Sequence, residues 1–405
     1  MTTQCDCICD IVRSTSYPSA MRRIDLIEPF RVMQLLERAR QLEAQGRHIV
    51  HMEIGEPDFP TPAPVVEAAR QRLDTGRNFY TPSTGAPELQ RALSDWYART
   101  QGLDIDPDRI VITPGTSGAF SLIYAVLLEA GESVLLSDPG YPCQRNFIRL
   151  AGGEPLNIPV GPDTRYHLSA DLLAANWRQD TRAAVVINPS NPTGTLIDPE
   201  ELALIGRACA EMDGYLISDE IYHGLTYGVN PPCALQCSDA AHTIVVNGFS
   251  KRWAMTGWRV GWVVLPEQLL DAARRVMQNI FIAAPTLSQY AAVAALEADG
   301  QVEVMRQAYD ERRRYLLEAL PGLGFDIVVE PQGAFYIYAD VSRLTGDSRS
   351  FCWDLLEHAG VAITPGEDFG AYRSAQHVRF SYATSLSELR EGISRIGLAL
   401  AARRH

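Results

Sequence analysis

The chain has 405 residues, 46% of them hydrophobic and 21% charged, the balance of an ordinary soluble globular protein with a sizeable core. Its 36 basic and 49 acidic residues leave a formal charge of −13, which argues against nucleic acid or an anionic membrane as the main partner. No apolar run reaches the length of a membrane span, and the first twenty residues lack the basic start and apolar stretch of a secretory signal.

Residues 1–23 read as a flexible tail. Cys5, Cys7 and Cys9 alternate there, but no fourth ligand follows at finger-like spacing, so no metal site is expected. Together with Cys143, Cys209, Cys233, Cys237 and Cys352 they read as reduced thiols of a cytoplasmic protein. Over residues 25–45, Ile27, Phe30, Leu35, Leu36, Ala39 and Leu42 recur near helical spacing, and Gly46 ends the helix. Gly55 to Pro62 is too proline-dense for regular structure.

From residue 86 onward helices and strands alternate. Helices are predicted over 87–101, 120–128 and 200–212. Strands are predicted over 110–112, 134–136, 183–187, 215–217, 243–246 and 260–265. Short buried strands separated by helices imply a mainly parallel sheet covered on both faces. Only 13 residues separate the last two strands, too few for a crossover helix, so the last should run antiparallel. Helices follow over 286–320, then strands at 325–329, 333–338, 361–363 and 378–382, with a helix at 350–359. The fold class is therefore α/β: a large domain, 61–305, with a mostly parallel mixed sheet, and a smaller α+β domain from 24–60 and 306–405.

Polar clusters follow one strand after another. Gly115-Thr116-Ser117-Gly118 follows the first, Asp138-Pro139-Gly140-Tyr141 the second, and Asn188-Pro189-Ser190-Asn191-Pro192-Thr193-Gly194 the third. Asp219 and Tyr222 follow the fourth, and Ser250-Lys251 the fifth. Ligands of open α/β sheets bind outside the carboxyl ends of the strands, so these clusters can converge. A lysine at the end of a buried strand is costly to keep charged, and a neutral lysine forms a Schiff base with an aldehyde. A helix opened by Gly115 offers free N–H groups to a phosphate. A carboxylate such as Asp219 can keep a pyridine nitrogen protonated, Asn191 and Tyr222 can donate to a ring oxygen, and Tyr141 can stack on the ring. Each alone has a plainer reading: a tight turn, a helix cap, a core aromatic or an exposed lysine. Jointly they describe a site for pyridoxal 5'-phosphate.

With Gly55-Glu56-Pro57-Asp58-Phe59, Tyr80-Thr81-Pro82-Ser83-Thr84-Gly85, Met255-Thr256-Gly257-Trp258-Arg259 and His377-Val378-Arg379-Phe380-Ser381-Tyr382 added, residues 24–400 resemble the class I aminotransferases of pyridoxal phosphate fold type I, in the bacterial aspartate-aminotransferase-like branch. The resemblance implies ping-pong transfer of an amino group from an amino acid to a 2-oxo acid. It makes Lys251 the Schiff-base lysine and proton shuttle, Asp219 the partner of the pyridine nitrogen, and Asn191 and Tyr222 the partners of the ring oxygen. Tyr141 would stack on the ring. Gly115, Thr116, Ser117, Ser250 and Arg259 would surround the phosphate. Tyr80 would reach the neighbouring subunit's phosphate, implying a homodimer. Arg379 would fork onto the substrate α-carboxylate, with Gly55 and Asn191 beside it.

Two positions depart from the family's pattern. Gly248 stands where several relatives have a phosphate-binding serine. Ser117 stands where dicarboxylate-specific members have a lysine, so no strong preference for aspartate is expected. Arg22, Arg23 and Arg145 are the candidate substitute cations. A carbon–sulfur or related lyase on the same fold is the alternative reading. A non-catalytic sensor fits less well, because about twenty residues precede the first family helix, too few for a DNA-binding module.

Overall fold

The computed structural model describes residues 23–29 and 31–403, so Cys5, Cys7, Cys9 and Arg22 lie outside the described residues. The strands in chain order are β1 (Val50–His51), β2 (Ile110–Thr113), β3 (Ser133–Asp138), β4 (Glu154–Pro159), β5 (Thr181–Ile187), β6 (Tyr215–Asp219), β7 (Thr243–Gly248), β8 (Gly261–Val264), β9 (Tyr336–Asp340), β10 (Val361–Ala362), β11 (Thr364–Pro365) and β12 (His377–Ser381). The helices that matter most for the site are α1 (Arg31–Ala44), α2 (Ala63–Asp74), α3 (Pro87–Gln101), α4 (Gly115–Leu127) and α5 (Pro142–Ala151).

The larger sheet has the order β2-β8-β7-β6-β5-β3-β4. β8 runs antiparallel to both β2 and β7, as the short connection required, and the other pairs are parallel. β2, β7 and β8 are buried at every position, which is why their sequences are continuous apolar runs and not alternating ones. Successive side chains still go to opposite faces. Val245 packs with Trp96, Tyr97 and Trp262 on one side, while Ile244 and Val246 pack with Phe120 and Ile123 on the other.

A second layer holds the antiparallel sheet β11-β12-β9 and the parallel pair β1-β10. Its core joins Val50 and Met52 to Phe325, Phe335, Ile337 and Phe380, so the segment before residue 60 packs with the C-terminal part of the chain. The long helix Asp299–Gly322 links the layers, with Val302 in the core of the larger sheet and Leu316 and Leu320 in the second core. No helix among the described residues is long and apolar enough to cross a membrane.

Several elements differ from the sequence-based expectation, among them the helices α2, α5 and Leu386–Ala402, where no helix is predicted. β4 reads Glu-Pro-Leu-Asn-Ile-Pro, and its two prolines hide a strand that the sheet tolerates because it lies at the edge. Residues 325–329 do not form a strand. Only Asp326 bridges to Asp340, and the run is held by packing: Phe325 is buried while Val328 is exposed. The helix at 350–359 is regular over Ser348–Asp354 and then widens into a π-turn at Leu355–Ala359.

Candidate active site

β2, β3, β5, β6 and β7 share one direction, so their carboxyl ends lie along one edge of the sheet. β8 runs backward, which brings its first residue, Gly261, beside Thr113 and Gly248 at the same edge. Arg259, just before β8, therefore joins the group. A cavity of about 400 Å³ opens there, lined by Gly55, Thr116, Ser117, Tyr141, Asn191, Asp219, Tyr222, Ser250, Lys251, Arg259 and Arg379. These residues are separated by up to 324 positions in the sequence, from Gly55 to Arg379.

Lys251 sits in the turn after β7, between Phe249 and Trp253, whose buried rings lie 4.9 Å apart. This anchoring fixes where the side chain starts. Its Nζ donates to the carbonyl of Gly55 at 2.6 Å. Burial lowers its pKa to about 8, against the opposing pull of Glu56. Gly55 is needed at that point because a Cβ would collide with the Tyr336 hydroxyl. Lys251 is also the only lysine in the chain, a signal the motif reading overlooked.

Asp219 ends β6 and is buried. Its Oδ1 accepts from the Ile221 N–H at 3.1 Å. Burial pushes its carboxyl up to about 7, so a cation placed against it would be needed to keep it ionised at lower pH. The Tyr222 and Tyr336 hydroxyls are bonded at 2.8 Å. Burial also raises the Tyr222 phenol, which keeps it a donor. Asn191 accepts from Arg379 Nη1 at 3.0 Å through its Oδ1. Arg379, on β12, further donates through Nη2 to the carbonyl of Glu53, and its guanidinium lies 4.4 Å from the Tyr336 ring centre.

At the other end, α4 begins with Gly115, Thr116 and Ser117, preceded by Pro114 with no side-chain cap. Its first N–H groups are thus available to an anion. Gly115 has φ of +70°, and a Cβ there would meet the Arg259 guanidinium at 2.5 Å. A Cβ at Gly261 would press on the backbone of Gly115 and Thr116 at about 3 Å. At Gly248 a Cβ would lie 3.2 Å from the Thr116 methyl, so a serine there would require that methyl to give way by a few tenths of an ångström.

These features fit pyridoxal phosphate at both ends. A glycine-lined helix start with an arginine suits a dianionic phosphate, and a buried carboxylate of raised pKa suits a protonated pyridine nitrogen.

Not every expected residue faces the cavity. Tyr80 is 80% exposed and lies outside it. Arg145 points elsewhere: its guanidinium donates to the carbonyls of Phe369 and Asp368, so it is not the substitute cation. The structure adds residues that sequence reading missed. Val32, Met33, Leu36 and Arg40 of α1 line the cavity, Met33 and Arg40 at its exposed rim, together with Ile54, Glu56, Thr256 and the buried Tyr336. The helical period of α1 marked its buried face but carried no cue that Val32 and Leu36 on it, with Met33 and Arg40 beside them, would line a pocket.

The fold is that of the fold type I aminotransferases. A family model for class I and II aminotransferases matches residues 47–396, and the chain belongs to that family. It is 41% identical over 373 residues to the valine–pyruvate aminotransferase of Mycobacterium tuberculosis, covering 92% of this chain and 96% of that one. A crystal structure of an aminotransferase from Mycobacterium tuberculosis superposes with a TM-score of 0.91 at 41% identity, covering 95% and 100% of the two chains. Aspartate aminotransferase from Thermus thermophilus with maleate gives 0.89 at 35% identity, covering 94% and 100%. The protein is an aminotransferase of the kind that generally uses pyridoxal phosphate, and these transaminase relatives disfavour the lyase and sensor alternatives.

Proposed function

We propose that this aminotransferase takes amino acids with neutral, apolar side chains as donors and works as a cytoplasmic homodimer. The carrying observation is one cavity in which Lys251, Asp219 and Arg379 meet an apolar wall of Val32, Met33, Leu36 and Ile54. The proposed division is 24–60 with 306–405 as the small domain and 61–305 as the large one.

The phosphate would rest on the first turn of α4 and Arg259, the pyridine nitrogen on Asp219, the ring oxygen on Asn191 and Tyr222, and the ring face on Tyr141. When bound, pyridoxal phosphate supplies an electron sink for negative charge at the substrate Cα. Arg379 forks onto the α-carboxylate and fixes which Cα bond faces Lys251. Lys251, with a pKa near 8, is about one-tenth free base at pH 7 and serves as the proton carrier at Cα. The apolar residues of α1 exclude water. The 2-oxo acid uses the same carboxylate grip in the second half of the cycle.

Donor choice follows from desolvation. Arg40 is the described cation at the mouth, and it is exposed, where an ion pair contributes about 0–1 kcal/mol. A neutral side chain loses nothing against the apolar wall, and the valine–pyruvate activity named for the Mycobacterium tuberculosis relative supports that choice. Half-reactions with aspartate, glutamate, alanine, valine, leucine and phenylalanine should show the apolar donors at least equal to aspartate. A hundredfold preference for aspartate, about 2.7 kcal/mol, that collapses in Arg40→Ala would identify Arg40 as a dicarboxylate reader and overturn this reading.

The homodimer is supported by an exposed apolar patch. Phe79 and Tyr80 are 74% and 80% exposed, and Ile280 and Ile282 are also exposed. Thr286 ties this region together by donating to the Phe79 carbonyl. Ile282 has φ of +63°, a costly conformation for a β-branched residue and one expected where an interface holds it. Sedimentation should give a dimer at micromolar concentration, and a monomer there would sink the proposal. The five described cysteines form no disulfide, which supports a reducing compartment.

A further inference from the structure

The turn that presents Tyr141 also grips the loop that packs on Arg379. Asp138, at the end of β3, accepts from the N–H groups of Ala371 at 3.0 Å and Tyr372 at 3.3 Å. Gly370 lies against this carboxylate so closely that any Cβ there would collide with it. Gly140 N–H donates to the Phe369 carbonyl at 2.9 Å. Arg145, buried on α5, donates to the same carbonyl at 3.1 Å and to that of Asp368 at 3.3 Å. The ring of Phe369 is fully buried with its centre 4.8 Å from the Arg379 guanidinium. The loop itself belongs to the layer that carries β12 and Arg379, whereas Asp138 and Arg145 belong to the larger sheet and its helices.

We propose that Asp138 and Arg145 are positioning residues that hold Arg379 at the reach where it meets the substrate carboxylate while Tyr141 meets the cofactor. The chain of contact runs from Asp138 and Arg145 through the backbone of 368–372 to the Phe369 ring and then to the guanidinium. Charge-assisted bonds to backbone groups are well suited to this, because they fix a loop without depending on its side chains. Nothing in this chain of contact touches the reacting atoms, so the effect should fall on binding shared by ground and transition states. The inference rests on Arg379 being the carboxylate grip.

The test uses holoenzyme and two unreactive carboxylates, 4-methylpentanoate and maleate, with binding read by calorimetry beside steady-state kinetics. Asp138→Asn keeps the size but turns an amide N–H₂ or a weaker acceptor toward two N–H donors. It should raise the Kd of the bound carboxylate, and the KM of the best amino donor and its 2-oxo acid, about tenfold, with kcat within about threefold. Arg145→Gln should move the same quantities in the same direction, and it carries the test if Asp138→Asn does not fold. Phe369→Leu should weaken carboxylate binding, and adding Asp138→Asn to it should cost little more, since both act through one contact. Carboxylate affinity and KM within twofold of the parent in both Asp138→Asn and Arg145→Gln would overturn the inference, even if thermal stability fell. Arg379→Lys separates the two levels. If it abolishes carboxylate binding while the other variants do not, only the positioning role fails; if it leaves binding intact, the grip assignment fails as well.

Discussion

Lys251→Ala will reduce transamination to background, at least a thousandfold below the parent, because under the proposed function it removes both the Schiff-base amine and the proton carrier, and a positioned acid–base group alone contributes about 10²–10⁴. No other side chain can substitute. Lys251 is the only lysine in the chain, and the other strong cations at the cavity are arginines, which stay protonated. This gives the experiment unusual clarity. Borohydride treatment of the holoenzyme should add one cofactor mass per chain to the intact parent and none to Lys251→Ala, and digestion should place the label on Lys251. Retention of more than about a tenth of the parent rate, where a base alone is worth far more, would show that the chemistry lies elsewhere.

Asp219→Asn should slow the half-reaction about a hundredfold or more, near 2.7 kcal/mol of transition-state stabilisation, since a neutral amide cannot keep the pyridine nitrogen protonated. The same substitution should act oppositely on the cofactor-free protein. Burial raises the Asp219 carboxyl from 3.8 to about 7 in the folded state. Between those values the folded chain binds more protons than the unfolded chain, so ionising Asp219 lowers stability as pH rises from about 4 to 7. Above pH 7 the penalty is complete. The cofactor-free Asp219→Asn protein should therefore melt higher than the cofactor-free parent at pH 8, and the gap should close as pH falls toward 4. A gap independent of pH, together with near-normal turnover, would reduce Asp219 to a cap on the Ile221 N–H. Both results together are what a carboxylate placed for its ligand should give: a liability without the ligand and a need with it.

How far the residues disclosed their roles depended on whether the information was local. Asp219, Asn191, Tyr222 and Lys251 each follow a short apolar run, and strand ends of a parallel sheet share one edge, so their meeting could be anticipated from order alone. The reversed direction of β8 was equally readable, because a connection that short leaves no room for a crossover. The uniqueness of Lys251 was present in the sequence too and needed only counting.

What the tertiary structure decided was every relation between segments that share no period or motif. Arg145 stood beside Tyr141 in the sequence as a plausible reader of substrate charge, yet its side chain turns away to two carbonyls of a loop more than 200 residues later. Arg40 and Met33 lay on a helix whose pattern announced only its core face, and packing of the second layer carried them to the mouth of the cavity. Gly248 lacks the hydroxyl of a phosphate donor, and only the packed chain shows the Thr116 methyl crowding the place where a Cβ would go. Hydrophobic period and chain connectivity are properties of one segment at a time, so the sequence determined most strands of the larger sheet, the edge they share and the residue types gathered there. Which side chain fills a given volume depends on all the segments around that volume at once, and only the packed chain determines that.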